Sequence, residues 1–376
     1  MRKIISIILV CVMQLLAIPV SANAPEVSAK TSILIEQETG KVLQEKEADR
    51  RVPIASVTKI MTMLLIMEEI DSGRMTLADE VTVSEYAMSM GGSTMFLETG
   101  EVLTVSDMLK GIAVASANDG CVAMGEHISG SVEGFVALMN KRAKELGMNN
   151  TNFVNTNGLD ADNHYSSARD VAIMARELSK HKKIFDYTTI WTDSLRGGKF
   201  ELANTNKLIR FYRGATGLKT GSTDLAGCCL CASATRDGMS LIAVVLGAPT
   251  SKERFAGASS LLDYGFANYR VVNPVTKGEQ LGTVSVRKGV INTLGAVASK
   301  DFTEIVNKND MSEIETKVTL ADDIIAPVAA GEIIGRAEFL MNGKSIGTVD
   351  LVAECDVEKK SFLQILSDII KSIVGM

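Results

Sequence analysis

The apolar residues of this 376-residue chain change their spacing twice, and that order restricts the fold more than any other feature. Ser32-Ile33-Leu34-Ile35 reads as a strand, Thr39-Gly40-Lys41 as a turn and Val42-Leu43 as the start of a returning strand, so a hairpin opens the body. Over residues 57–70 the positions Ile60, Met63, Leu64, Met67 and Ile70 step at helical spacing, and further helices are expected over 105–115, 134–146 and 168–178. Beyond Gly217 strand texture returns at 228–235 and 241–246, parted by the turn signal Arg236-Asp237-Gly238. Strands at both ends with helices between them predict an α+β domain whose terminal segments share one antiparallel sheet flanked by helices.

A second boundary falls near Asn273-Pro274, after which short strand-like runs are broken by Lys277-Gly278, Lys288-Gly289 and Asn342-Gly343. The Asn-Gly pair predicts a two-residue hairpin between 337–341 and 344–351. Residues 273–355 therefore read as a small β-rich domain without clustered histidines or a phosphate loop, a spacer or packing module. In the last segment, 356–376, Phe362, Leu363, Ile365, Leu366, Ile369, Ile370, Ile373 and Val374 recur at three- and four-residue steps. Such an amphipathic helix either docks on the protein's own core or lies in a lipid interface, and the charged residues before it favour a membrane anchor.

At the other end, Arg2 and Lys3 precede an apolar run over 4–18 and the small residues up to Ala24, which predicts an export signal over 1–22 cleaved after Ala22. The run is too short to span a bilayer. The remaining body, 23–272, is then expected outside the cell, at the outer face of the cytoplasmic membrane or in the wall. Removing the signal takes away Cys11 and leaves five cysteines, an odd number that completes no disulfide framework. Cys228, Cys229 and Cys231 lie in a buried-strand pattern where neighbours face opposite sides, so they read as free thiols rather than as a metal or redox site. The net charge of −6 offers no basic excess for a phosphate backbone, which argues against nucleic acid as a partner.

Three short motifs carry the chemistry. Ser56-Val57-Thr58-Lys59 heads the predicted 57–70 helix, where residues three apart share a face and a serine can meet an amine. Serine needs an adjacent base to act as a nucleophile, and lysine serves as one only where burial or another cation favours its neutral form. Ser116-Ala117-Asn118 is expected in a loop between helices, supplying a hydroxyl and a carboxamide. Lys219-Thr220-Gly221, followed by Ser222, enters the 228–235 strand region as a cation, a hydroxyl and a residue without Cβ, an edge where a peptide can pair. Each motif alone reads as an ordinary cap, turn or strand edge.

In this order the three motifs resemble those of the penicillin-recognising serine enzymes. Residues 53–62, 217–223, Ala226-Gly227, Gly158-Leu159-Asp160, 93–97 and 164–168 are similar to low-molecular-mass D-alanyl-D-alanine carboxypeptidases, and the likeness covers nearly the whole mature chain. It implies a penicillin-binding-protein-like α+β domain with a helical insertion, followed by the β-rich domain and the amphipathic helix. It further implies a peptidoglycan stem peptide ending in D-Ala-D-Ala as substrate, acylation by β-lactams, and neither cofactor nor metal. By the same resemblance Ser56 is the nucleophile, Lys59 its base, Ser116 a proton relay and Asn118 a holder of the substrate amide. Lys219 is expected to lower the Lys59 pKa, and the backbone N–H groups of Ser56 and Ser222 to form an oxyanion hole. Thr220 and Arg254 are candidates for the terminal carboxylate, Arg254 being equally readable as a surface arginine. Ser222 stands where some relatives carry histidine. His164 reads as a loop hydrogen-bonding group or an accessory catalytic one. A serine β-lactamase and a catalytically silent penicillin sensor remain the competing readings, although no Glu-x-x-Leu-Asn lies between the second and third motifs.

Overall fold

The computed structural model describes residues 24–310 and 312–374, and the expected export signal over 1–22 lies outside them. The chain divides into two compact units between Asn268 and Tyr269. In the first, five strands form an antiparallel sheet: β1 (Thr31–Glu36), β2 (Val42–Lys46), β3 (Ala215–Thr223), β4 (Gly227–Arg236) and β5 (Met239–Ala248), in the order β2-β1-β5-β4-β3. Pairing of β1 with β5, from Thr31 opposite Leu246 to Glu36 opposite Leu241, joins the two ends of the domain as the apolar spacing predicts. β4 and β5 are apolar almost without interruption because α4 (Ala168–Leu178) and α5 (Ser251–Asn268) both pack on the sheet, and buried strands cannot alternate with polar residues.

Between β2 and β3 lie the helices, chiefly α1 (Lys59–Asp71), α2 (Asn118–Ser129), α3 (Val132–Glu145) and α4. Every residue of α1 from Lys59 to Met67 is buried. The helical spacing over 57–70 marks one face; in the fold, neighbours cover all faces, so α1 is a core helix rather than a surface one. It begins two residues after the expected start, behind a 3₁₀ turn over Ala55–Thr58. α3 and α4 start at Ser131 and Ser167, whose hydroxyls accept from the N–H of Gly134 and Asp170 and satisfy open helix-start donors. The segment expected as one helix over 105–115 instead narrows to Val105–Lys110, widens into a π turn over Gly111–Ala115 and stops at Ser116 in the left-handed region, φ 64°.

The second unit is β-rich, built on a six-stranded sheet with a core that includes Val284, Ala337, Phe339 and Leu351. Its longest hairpin joins Ile333–Met341 to Lys344–Ala353, with Met341 opposite Lys344 and positive φ at Asn342 and Gly343, the two-residue turn that Asn-Gly favours. α6 (Phe362–Val374) ends the described chain, and its Phe362, Leu363, Leu366 and Ile369 are exposed. No helix among the described residues is long and apolar enough to cross a membrane.

Candidate active site

The 3₁₀ turn before α1 holds Ser56 half-buried and sets Lys59 one turn further, so the Lys59 Nζ donates to Ser56 Oγ at 2.9 Å. The same ammonium donates to Asn118 Oδ1 and to the Asn157 carbonyl, both at 2.7 Å. Three donors meet three acceptors, and the side chain is fully buried. Asn118, the first residue of α2, donates through Nδ2 to the Gly91 carbonyl at 2.7 Å. Lys219 on β3 is also buried, with its Nζ donating to the Thr220 carbonyl. The turn itself is tightly enclosed. Ala55 sits at φ 49°, and two glycines press on it from opposite segments. A Cβ on Gly158 would lie 1.9 Å from the Ala55 carbonyl oxygen, and one on Gly221 would lie 2.9 Å from both the Ile54 oxygen and the Ser56 nitrogen. Gly221 is required first for this approach of β3 to the nucleophile turn, which sets the Gly221 backbone close to the Ser56 nitrogen.

Burial governs the electrostatics. It lowers the Lys59 pKa to about 8, against the opposing fields of Cys121 and Asp119. The Lys219 amine is held well below its ordinary value, by burial first and by the Lys59 charge second. Loss of solvent does most of the lowering at Lys59, and mutual repulsion between the two buried amines further opposes charging both at once. The arrangement offers a nucleophile beside an amine that sheds its proton near neutral pH, which is the requirement of acyl transfer through serine.

Ser116 is buried at the junction two residues before Asn118. Thr220 donates its hydroxyl to Thr205 Oγ1 at 2.7 Å, and Ser222 stands exposed with its Oγ 3.8 Å from Cys228 Sγ. Arg254 is not a surface arginine. It is buried on α5 behind β3, where Nη1 donates to the Gly221 carbonyl at 2.8 Å and Nε has no partner among the described residues. His164 does not reach Ser56. Its Nδ1 accepts from the Val154 N–H, which leaves Nε2–H to donate to Thr58 Oγ1 at 2.8 Å, and burial pushes its pKa down to about 4. It bolts the 154–164 loop to the nucleophile turn as a neutral ring. Cys229 and Cys231 are buried and Cys228 is partly exposed, all as free thiols.

Three contributors carried no sequence signal of their own, Asn157, Thr205 and Asp119, whereas Asp160 belongs to the Gly158-Leu159-Asp160 segment already singled out. Asp119 accepts from the Met95 and Leu97 N–H groups and fixes the segment beside Asn118. Asp160 accepts from Thr223 Oγ1 at 2.6 Å and ties the loop after Gly158 to the end of β3.

A buried lysine paired with a serine at a helix start, an asparagine from a second helix and a lysine from a sheet edge together define a serine acyl-transfer site. Comparison with known proteins narrows that class. The D-alanyl-D-alanine carboxypeptidase family matches residues 18–250, and the C-terminal domain of penicillin-binding protein 5 matches residues 269–359. The chain is 45% identical to the D-alanyl-D-alanine carboxypeptidase DacF of Bacillus subtilis, over 90% of this chain and 88% of that one. Penicillin-binding protein 5 of Haemophilus influenzae superposes with a TM-score of 0.79 at 33% identity, covering 90% of this chain and all of that one. Penicillin-binding protein D2 of Listeria monocytogenes in its ampicillin-bound form covers 64% of this chain at 32% identity, with a TM-score of 0.59. This chain belongs to the D-alanyl-D-alanine carboxypeptidase family.

Proposed function

We propose that the protein removes the terminal D-Ala from peptidoglycan stem peptides through an acyl-enzyme on Ser56, and that β-lactams acylate the same hydroxyl. Neutral Lys59 takes the Ser56 proton as Oγ attacks the penultimate carbonyl, and the resulting oxyanion lies between the backbone N–H groups of Ser56 and Ser222. The C–N bond breaks, the leaving nitrogen receives the proton by way of Ser116, and water hydrolyses the ester. Asn118, Lys219, Thr220 and Gly221 hold the peptide along β3, and Arg254 with Thr220 answers its carboxylate. The observation that carries this reading is the 2.9 Å approach of the Lys59 amine to Ser56 Oγ inside a buried network. Ser56→Ala is expected to abolish both labelling by fluorescent penicillin and release of D-Ala from a D-Ala-D-Ala peptide, with the circular dichroism unchanged. Labelling that persists removes Ser56 from its role. Rapid antibiotic turnover by the parent protein points to a β-lactamase instead, and labelling without D-Ala release points to a sensor.

The same reading places a leader at 1–22, the peptidase domain at 23–272, the β-rich domain at 273–355 and a membrane-associating helix at 356–376, with the enzyme acting outside the cytoplasmic membrane. The exposed Phe362, Leu363, Leu366 and Ile369 support the last of these. A chain truncated before Lys360 is expected to leave the membrane fraction while retaining penicillin labelling; retention in that fraction rules out the anchor.

A further inference from the structure

Beyond the cleft, residues 202–216 hold Lys207, Arg210 and Arg213 and no carboxylate, in a chain where acidic residues outnumber basic ones 45 to 39. Lys207, Arg210 and Arg213 are exposed and form no ion pair among the described residues. They surround a one-turn helix, Leu208–Phe211, whose Phe211 is 73% exposed. Phe211 meets Trp191, the only tryptophan of the chain, edge to face at 6.1 Å and 70°. The Arg210 guanidinium lies 5.6 Å from the Trp191 ring centre and 5.7 Å from that of Phe211. Arg210 and the two rings stabilise one another, yet Phe211 stays largely exposed and the three cations have no carboxylate partner among the described residues, so the patch keeps a ring and positive charge available to a ligand.

The cluster is continuous with the reacting strand. Asn204 donates from its backbone to the Trp191 carbonyl at 2.8 Å, Thr205 accepts from the Thr220 hydroxyl at 2.7 Å, and Asn206 donates to the Gly217 carbonyl at 2.8 Å. Three successive side chains or backbone groups thus tie the aromatic pair to the edge of β3. We propose that Trp191, Phe211, Lys207, Arg210 and Arg213 form a second subsite that takes the polymeric remainder of the substrate: sugar rings on the aromatic faces and peptide carboxylates on the cations. Sugars present C–H faces that lie on exposed rings, and a wall peptide carries carboxylates besides the one released, so both halves of the patch find a partner in one ligand. The inference rests on the carboxypeptidase reading and extends it from the scissile dipeptide to the polymer that bears it.

The test compares a soluble D-Ala-D-Ala tripeptide with purified sacculi, using the full chain and a quadruple variant, Lys207→Gln, Arg210→Gln, Phe211→Ser and Arg213→Gln. Penicillin acylation and tripeptide hydrolysis are expected to stay unchanged, while D-Ala release from sacculi and co-sedimentation with them fall roughly tenfold, the sum of several exposed cation and ring contacts. Parent-like activity on sacculi overturns the subsite and leaves the patch a bare surface. An equal loss on tripeptide and sacculi also overturns it, since the damage then lies in the cleft. Vesicles of anionic lipid are the third arm, and a variant that loses vesicle binding but not sacculus binding assigns the patch to the membrane. A parent protein that releases no D-Ala from the tripeptide refutes the carboxypeptidase reading itself, a result separate from all of these.

Discussion

In the proposed reaction Lys59 is the residue on which the chemistry turns, because a buried amine must be satisfied as an ammonium and still be available as a base. Its three acceptors stabilise the charged form, and burial opposes it, leaving a pKa of about 8. The neutral base therefore becomes scarcer as pH falls below that value. Second-order acylation by benzylpenicillin is expected to decline about tenfold per pH unit on the acid side of 8 and to level off above it, and a profile flat across neutrality removes Lys59 from the proton transfer. His164 gives a prediction about stability. Its folded pKa, about 4, lies below the ordinary value of 6.5, so the unfolded chain binds the proton first as pH falls. The stabilisation is present above about 6.5 and is lost progressively toward 4, a change of about 3 kcal/mol for the shift. Denaturant midpoints measured across that window are expected to fall more steeply for the parent than for His164→Leu, after allowing for the variant's own cost at neutral pH. Parallel curves contradict the neutral ring.

At the scale of elements, the site is an approach of one strand to one turn, and Gly221 sets its distance. The atoms that a Cβ would meet are backbone, the Ile54 oxygen and the Ser56 nitrogen, so β3 must move rather than a side chain turn aside. Gly221→Ala is expected to leave the sheet folded and to lower penicillin acylation by about a hundredfold, the usual cost of displacing reacting groups by an ångström; a parent-like rate shows that the strand tolerates the shift. The motifs that carry Ser56, Lys59, Asn118 and Lys219 were legible because each combines residue types that chemistry requires, and the sheet was legible because Ile33-Leu34-Ile35 and residues 241–246 are apolar runs. Asn157 and Thr205 were not. Asn157 acts on Lys59 through its backbone carbonyl from 98 residues away, and any residue supplies such a carbonyl. The burial of α1 on all sides was equally hidden, since spacing marks the face that must be covered and tertiary packing decides what covers the rest. Arg254 showed the same limit: nothing local distinguishes a buried arginine on α5 from an exposed one.

For the whole molecule, each unit has its own apolar core, one running through α1 and the large sheet and the other confined to residues from Val275 onward. The proposed catalytic groups, carried by the three motifs, all lie in the first, within the family match to residues 18–250. A lesion deep in the second core should then separate stability from chemistry. Phe339 is fully buried and stacks on Phe302 with ring centres 4.8 Å apart and planes within 8°. Phe339→Ala removes both the ring burial and that stacking, at a cost of about 3–5 kcal/mol to the β-rich unit. Calorimetry of the variant is expected to show a transition displaced downward for that unit, while penicillin acylation and D-Ala release from a soluble peptide keep the parent rates at temperatures below it. Loss of acylation in step with the displaced transition indicates instead that residues 24–268 depend on the β-rich unit for their own fold, and the catalytic unit must then be treated as one cooperative body with it.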